Sequence, residues 1–416
     1  MKIDHSRYRQ ESGYILLMTV GFVLVVGILL GSYLLLSTQE DRLVVRSECW
    51  NSSLTVAEAG VDEALAQMNA SPNDFSANGW SGSSGTTIGT FSPGTRTMAD
   101  GSYVVKIVNT NGIPTILSTG YTTMPGSGQQ LSRTVEVTAE NEPLFSVGLG
   151  AVGNINMNGH GMITASWNSE TNTLSTNGLF DPAFISTNGD VASEGGLVNL
   201  GNHTINGSLY LGPSASYSGS ANQVTGDIYY DYNVQFPPVT LPSASWLPAT
   251  VISGTNTFAL PGTNYYYVNN SLPIYVAPGT TAILQVAATS FSPSSVTIGG
   301  GTTNSGTLII YQDSGTVTLG GNASGGAIGT RPENFMYFGL PAVTNISLSG
   351  CSTFIGCIYA PEAMLTLNGG GNANNLEGSA IVGNATDNGH YDFWYDESLA
   401  NTGPSRGFIP TSWQEL

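Results

Sequence analysis

Near its N-terminus the chain has a pattern of apolar and polar positions that predicts one long helix. The run from Tyr14 to Leu36 is uncharged and mostly apolar. As a helix this run is about 35 Å long, enough to cross the roughly 30 Å hydrocarbon core of a bilayer. Farther on, apolar residues recur at steps of three or four, the period of one helix face: Trp50, Leu54, Ala57, Val61, Ala64, Leu65 and Met68. The first proline is Pro72, so one helix from Tyr14 to about Met68 is predicted, with its first half in a membrane and its second half outside.

The residues around the apolar run distinguish an anchor from a cleaved secretory signal. Three basic residues precede the run: Lys2, Arg7 and Arg9. A secretory signal has an apolar core of about 7–15 residues and a small-residue cleavage site, whereas this run is longer and residues 34–40 offer no such site. Gly27 and Gly31 form a G-x-x-x-G, the spacing that lets two helices approach closely in lipid. These features predict a spanning helix that packs against another helix; a plain single-pass anchor is the alternative.

The N-terminal segment resembles a known class of proteins. A basic leader ending in Gly13, an apolar run and a continuous amphipathic helix are similar to the type IV prepilin N-terminus, and Ala57–Ala64 (AEAGVDEA) resembles the PilX-like minor pilins. The resemblance covers residues 10–68. It implies cleavage between Gly13 and Tyr14 by a prepilin peptidase, methylation of the new N-terminus and packing against other pilins. The usual glutamate at the fifth mature position is replaced by Met18, which implies a tip or minor position, since that glutamate pairs with a neighbour's N-terminal amine.

The helical period ends at Pro72. Residues 72–100 are rich in Gly, Ser and Thr and are predicted to form a loop, whereas three alternating segments predict strands: Ser102–Asn109, Pro114–Tyr121 and Leu131–Glu140. A small antiparallel sheet on the amphipathic half of the helix is therefore expected. The predicted division is a leader (1–13), a transmembrane half-helix (14–36), an amphipathic half-helix (37–70), a small sheet (71–142), a β-solenoid ectodomain (143–403) and a C-terminal tail (404–416).

From about Phe145 onward, short strands and glycines repeat. One unit alternates apolar and polar residues before a glycine: Ile155–Gly159, Ile346–Gly350 and Leu365–Gly369. A second unit places glycine before an apolar run, at Gly207, Gly226, Gly356 and Gly378. Neighbouring copies recur at a spacing of roughly 20 residues, which is typical of a parallel β-helix or solenoid, with a β-sandwich as the alternative. A proline-rich stretch at 236–248 either separates two blocks or is an excursion from one. Phe354–Pro361 and Tyr391–Leu399 resemble an uncharacterised solenoid domain that accompanies PilX-like N-termini.

The charge balance excludes several classes of partner. The chain has 10 Lys and Arg against 28 Asp and Glu, a net charge of −18. So acidic a protein lacks the basic contacts that nucleic acid or anionic lipid headgroups require. The basic residues before the apolar run outnumber Arg42 and Arg46 just after it, which favours an N-terminus in the cytoplasm and a C-terminal part outside the cell.

Few residues suit polysaccharide cleavage. From Glu140 to Ser405 the only basic side chain that is always charged is Arg331, so a lyase that neutralises a sugar carboxylate is disfavoured. A hydrolase needs two or three close carboxylates. The candidates are Asp227 with Asp231, or Asp392, Asp396 and Glu397 beside His390.

These carboxylates also have simpler interpretations. Asp227 and Asp231 are interpreted as exposed turn residues, and the group from Asp392 to Glu397 as part of an aromatic cap, although calcium binding by the second group stays open. His160 and His203 are isolated in the sequence and form no metal-ligand pair. No catalytic or metal-binding residue is therefore assigned.

Cys351 and Cys357 are close in the sequence; a disulfide needs a turn between them, and two buried thiols are the alternative. Together these features predict a non-enzymatic minor pilin or pseudopilin without a cofactor. It would be anchored once in the inner membrane, placed at a filament tip, and would display a solenoid that contacts a surface glycan or a protein. The alternative is an anchored surface adhesin or carbohydrate-binding solenoid that never enters a pilus, and a polysaccharide hydrolase comes third.

Overall fold

The computed structural model describes residues 6–70, 75–76, 79–84, 88–110, 113–159, 162–234, 236–320, 330–349, 353–369 and 374–416. The chain divides into two compact units. Unit 1 comprises Met1–Glu142 and Gly407–Leu416, and unit 2 comprises Pro143–Arg406.

The elements of the first part of the chain are α1 (Ser6–Ala70), β1 (Ser81–Ser84), β2 (Ile88–Ser92), β3 (Thr95–Met98), β4 (Gly101–Thr110), β5 (Ile113–Thr123), β6 (Gln130–Pro143), β7 (Leu149–Ala151), β8 (Ile155–Met157), β9 (Ile163–Trp167), β10 (Val191–Ser193), β11 (Leu197–Asn199), β12 (Thr204–Ile205), β13 (Leu209–Leu211), β14 (Ser216–Ser218) and β15 (Ile228–Tyr229). The later elements are β16 (Leu247–Pro248), β17 (Val251–Ile252), β18 (Thr255–Phe258), β19 (Gly262–Val268), β20 (Ile274–Val276), β21 (Thr280–Val286), β22 (Ser290–Phe291), β23 (Val296–Ile298), β24 (Thr307–Gly320), β25 (Phe335–Ser349), β26 (Phe354–Asn368), β27 (Asn374–Asp387), β28 (Tyr391–Asp396), α2 (Leu399–Thr402) and β29 (Ser405–Glu415). Short 3₁₀ helices lie at Ala221–Gln223 and Pro332–Asn334.

In unit 1 one long helix packs on an antiparallel sheet. The sheet order is β1-β2-β4-β5-β6-β29, and β3 pairs with β4. Most of the helix face predicted from its period is buried: Ala57, Val61, Ala64 and Met68 pack, together with Val56, against sheet residues that include Val105, Ile107, Ile116, Val135 and Val137. Trp50, at the start of the predicted face, is 44% exposed. Gly120 allows the close contact, because a Cβ built there would lie 2.2 Å from the carbonyl oxygen of Ser53. The predicted helix and small antiparallel sheet are confirmed.

Two segments of unit 1 differ from the prediction. Residues 72–100 were expected to form a loop, but β1, β2 and β3 lie there and extend the sheet beyond β4. These strands are rich in Ser, Thr and Gly, and β3 is exposed along its whole length, so no apolar alternation marks them. Residues 404–416 were expected to be a tail, but β29 is an edge strand of the sheet beside β6. Strand β29 is held in the sheet by backbone hydrogen bonds, which require no particular side chains, so no side-chain pattern predicts it.

Unit 2 is mostly β-structure and contains a large parallel sheet. Its strands pair side by side in the order β15-β13-β10-β7-β27-β26-β25-β24-β21-β19-β16. From β19 across to β13, each strand supplies one buried residue to a single column of cross-strand neighbours: Tyr266, Leu284, Ile310, Tyr337, Ile358, Ala380, Leu149, Val191 and Leu209. Side chains that alternate with this column point to the opposite face.

The chain enters this sheet in its middle. It builds from β7 out to β15, crosses to β16 at the far edge, and returns strand by strand until β27 pairs with β7. Ten strand spacings separate β15 from β16, about 48 Å in total. The chain from Tyr229 to Leu247 must therefore advance about 2.7 Å per residue, which an extended polyproline-type chain with a rise of about 3.1 Å achieves.

Residues 230–246, described except for residue 235, form this crossing and are called the strap. The prolines of the strap suit it to an extended course without ladder hydrogen bonds. It lies on the face of the sheet opposite to the buried column, here called the outer face: Val239 is buried in the same cluster as Cys357 and Tyr359, and Tyr359 Oη donates a hydrogen bond to the Pro237 carbonyl oxygen at 2.7 Å. The proline-rich stretch thus connects two blocks of strands, β7 to β15 and β16 to β27, that join into one parallel sheet.

Candidate functional site

The first half of α1 carries a large unburied apolar surface. Gly13 and Tyr14 lie inside the helix, which continues without interruption to Ala70. The segment is long and apolar enough to cross a membrane, with a mean hydropathy of 2.6 and none of it buried. A Cβ built on Gly27 or Gly31 would meet nothing within 4 Å, so the G-x-x-x-G face is open to another helix. Cleavage at Gly13–Tyr14 and packing at these glycines stay predictions.

The predicted acidic group near the C-terminus is used to hold strands and loops together. Each carboxylate accepts hydrogen bonds from a different part of unit 2. The pairs are Asp392 Oδ1 with Ile163 N (2.9 Å), Asp396 Oδ1 with Ser169 N (3.0 Å) and Ser398 N (3.1 Å), and Glu397 Oε1 with Ser166 Oγ (2.6 Å) and Asn188 Nδ2 (2.9 Å). Burial raises the pKa of Asp392 and of Asp396. Among the residues that the structure describes, no three His, Cys, Asp or Glu side chains are grouped to hold a metal ion.

Aromatic rings surround the acidic group. Trp394 stacks on Phe180 with ring centroids 4.8 Å apart, and Trp167 meets the same Phe180 edge-on at 5.8 Å. The Trp167 indole N–H also donates a hydrogen bond to the Trp394 carbonyl oxygen at 3.2 Å. The acidic and aromatic side chains therefore act together in tying β28 to β9 and to the loop that follows β9.

The remaining candidates do not converge on one site. Asp227 and Asp231 are exposed, and Asp227 accepts a hydrogen bond from Tyr229 Oη at 3.3 Å. Cys357 is a buried free thiol whose pKa is raised by burial. Cys351 and His160 lie outside the described residues, and the free thiol of Cys357 agrees with the alternative of a buried, unbridged cysteine at this position. His203 is fully buried, with its Nε2 2.5 Å from Thr164 Oγ1, and burial lowers its pKa to about 3.

A row of aromatic side chains on the outer face of the parallel sheet was not predicted from the sequence. Tyr267, Gln285, Tyr311 and Phe338 are direct cross-strand neighbours on β19, β21, β24 and β25. Tyr311 and Phe338 stack with centroids 5.0 Å apart and planes 13° apart. Beside the row, Trp246 at the end of the strap meets Tyr265 edge-on at 5.4 Å. These residues recur once per strand, as core residues also do. Only the strand register shows that they lie on the outer face and next to one another.

Comparison with known proteins gives limited matches. Residues 265–402, about a third of the chain, match a family described as a domain of unknown function (DUF7305). No curated protein sequence matches the chain. Among solved structures, the chain is similar to the crystal structure of the competence-associated pilin ComZ from Thermus thermophilus, with 12% identity, coverage of 88% of this chain and 97% of that chain, and a TM-score of 0.30. A TM-score of this size does not establish a common fold.

Proposed function

We propose that the protein is a minor pilin or pseudopilin-like subunit of a type IV pilus or type II secretion-like filament. The proposal rests on the two different halves of α1. One uninterrupted helix joins an apolar half with no buried residue to a half that packs on an antiparallel sheet. Exposed apolar surface costs roughly 25 cal/mol per Å² in water, so the first half needs lipid or other helices around it. A subunit that is first held in the inner membrane and then packed against other pilin helices has such surroundings at both stages.

Unit 2 is proposed to be a β-solenoid displayed outside the cell. Within the two blocks, neighbouring strands of the parallel sheet follow one another along the chain, as in the pairs Val191 with Leu209 and Ile310 with Tyr337. Shorter strands pair in the same order on a second ladder, β14-β11-β8-β27. Two ladders with the same order are what successive turns of one coil produce. In this proposal each turn covers the apolar residues of the one before it.

Processing tests the pilin role. We expect cleavage between Gly13 and Tyr14 and methylation of Tyr14 in cells that contain a prepilin peptidase. Intact mass and N-terminal sequencing of membrane-extracted protein measure both, with peptidase-deficient cells as the control. A chain that keeps its leader in peptidase-positive cells would contradict the pilin role and favour a plain anchor.

The tip position follows from two features of the chain. Met18 at the fifth mature position cannot pair with a neighbour's N-terminal amine as a glutamate would, and unit 2, which spans Pro143–Arg406, is bulky for a shaft with closely spaced subunits. Antibody against unit 2, used in immunogold labelling of sheared filaments, should mark tips only. Even labelling of shafts would contradict the tip position. Label confined to the cell envelope would favour the anchored adhesin instead.

No catalytic role is proposed for unit 2. One oxygen of each carboxylate of Asp392, Asp396 and Glu397 accepts hydrogen bonds from backbone amides or polar side chains that hold neighbouring segments in place. The full chain should release no reducing ends from neutral or acidic polysaccharides. Release that disappears in Asp396→Asn would show that the acidic group is catalytic.

A further inference from the structure

The segment that builds the β16 side of the sheet carries no formal charge. No Asp, Glu, Lys, Arg or His occurs anywhere between Asp231 and Asp313. This stretch forms the strap beyond Asp231 and the elements from β16 through β23, together with the first residues of β24. The chain as a whole has a net charge of −18, so this stretch of unit 2 is unusual in contributing no fixed charge of its own.

The aromatic row lies on the outer face of this uncharged region. Trp246, Tyr265, Tyr267, Gln285, Tyr311 and Phe338 are here called the aromatic platform. The residues that alternate with them, Tyr266, Leu284, Ile310 and Tyr337, are buried in the core, which places the platform on the opposite face. Tyr267 is 42% exposed, and the other members are half-buried. The platform spans the neighbouring strands β19, β21, β24 and β25, about 14 Å, and Trp246 of the strap lies beside Tyr265 of β19.

The platform combines apolar ring surface with neutral hydrogen-bonding groups. Tyrosine and tryptophan each present a large apolar body with one polar atom, and the Gln285 amide has both a donor and an acceptor end. Gln285 Nε2 donates to the Asp313 carboxylate at 2.9 Å, so its orientation is fixed and the adjacent negative charge is partly satisfied within the protein. Tyr267 is the exposed member, and Tyr311 and Phe338 pack partly against the cluster that contains Val239 of the strap; the ring surface that stays accessible is suited to contact with a ligand.

We propose that the aromatic platform binds a neutral polysaccharide chain laid across the strands. Sugar rings have apolar C–H faces that pack on aromatic rings and hydroxyl groups that bond to tyrosine hydroxyls and amides. The absence of Lys and Arg from this segment disfavours acidic polysaccharides, which would also be repelled by the net negative charge of the protein. A surface that crosses several strands suits an extended polymer rather than a single sugar. The inference rests on the proposed function only in that unit 2 must be displayed outside the cell.

The test uses the full chain in a polyoxyethylene detergent, because detergents with sugar headgroups would compete for the site. Affinity electrophoresis and pull-down are run with cellulose, chitin, laminarin and mannan as neutral polymers and with polygalacturonate as the acidic one. We expect at least one neutral polymer to retain the protein and the acidic one not to. Tyr267→Ala and Trp246→Ala should each weaken binding at least tenfold, and Tyr267→Phe should keep most of it.

Tyr275→Ala is the matched control, because Tyr275 is 36% exposed in the same uncharged segment but lies on β20, in a different sheet. It should bind like the unaltered chain. Retention by none of the neutral polymers, equal retention by polygalacturonate, or equal losses in Tyr267→Ala and Tyr275→Ala would each overturn the proposal. Hydrogen exchange of β19 and β21 shows whether each variant is folded. If Tyr267→Ala does not fold, the binding of Trp246→Ala tests the proposal instead. Processing at Gly13 is measured separately, so a failure of either proposal leaves the other intact.

Discussion

A Cβ atom built on Gly60 of α1 would lie 2.2 Å from Oγ of Ser118 on β5, and 2.9 Å from the ring of Tyr103. The helix therefore approaches the sheet as closely as the absence of a side chain permits. Gly60 is the glycine of the AEAGVDEA segment, which supported the resemblance to minor pilins. Its physical role in this chain is to let the amphipathic half of α1 lie directly on the sheet.

Substituting Gly60 should therefore destabilise unit 1. Gly60→Ala gains about 1 kcal/mol of helix propensity, but the overpacking against Ser118 and Tyr103 costs about 1–3 kcal/mol. We expect faster hydrogen exchange in β5 and the second half of α1. Because Ser118 Oγ is buried without a hydrogen-bond partner among the described residues, Gly60→Ala with Ser118→Ala should recover part of the loss. Gly21→Ala, where nothing lies within 4 Å, is the matched glycine control, and equal effects at the two glycines would contradict the packing argument.

The end of α1 holds the C-terminal strand. Asn69 Oδ1 accepts a hydrogen bond from Phe408 N at 2.6 Å, and its Nδ2 donates to Phe408 O at 3.2 Å. Asn69→Ala should lower the stability of unit 1 by about 1 kcal/mol and expose residues 407–416 to limited proteolysis. Asn51→Ala, at an exposed position on the same helix, should leave the cleavage pattern unchanged. No change in cleavage for Asn69→Ala would show that β29 is held by its backbone pairing alone.

A largely buried carboxyl group should make unit 2 less stable at higher pH. Burial raises the pKa of Glu377 from 4.5 to about 7, so the folded state binds the proton more tightly than the unfolded state does. The free energy of unfolding is then highest below pH 4.5 and falls as pH rises to about 7, by up to about 3 kcal/mol. Glu377→Gln should reduce this fall, measured by thermal unfolding from pH 4 to 8; the part that remains comes from other buried carboxyl groups such as Asp387, whose pKa burial raises to about 6. The exposed Glu170→Gln is the control, and identical pH profiles for the two variants would contradict the assignment to Glu377.

His203 should have the opposite pH effect. Burial lowers its pKa from 6.5 to about 3, so the unfolded state binds the proton more tightly. The stability contributed by the neutral imidazole is complete above pH 6.5 and is lost as pH falls toward 3. His203→Gln should flatten this acid limb, although the loss of packing against Phe393 (ring centroids 6.3 Å apart) lowers stability at every pH. His390→Gln serves for comparison, and an unchanged acid limb in His203→Gln would show that other groups control it.

Local periodicity specifies several elements before any tertiary contact is considered. The apolar run from Tyr14 and the recurrence from Trp50 to Met68 specify α1, because side chains three and four residues apart lie on one helix face. The alternation in Leu131–Glu140 specifies β6 in the same way. The regular spacing of glycines predicted repeated short strands in unit 2.

Which segments become neighbours follows from the tertiary structure and not from any local pattern. Nothing in Leu149–Ala151 indicates that it lies between β10 and β27, because parallel pairing is made by backbone atoms that every residue shares. The same reason explains β29 and the strap, whose course depends on where the strands that it connects are placed. The aromatic platform likewise exists only through the register that aligns Tyr267, Gln285, Tyr311 and Phe338. Residues far apart in the sequence become one surface because the strands between them turn the chain back onto the same sheet.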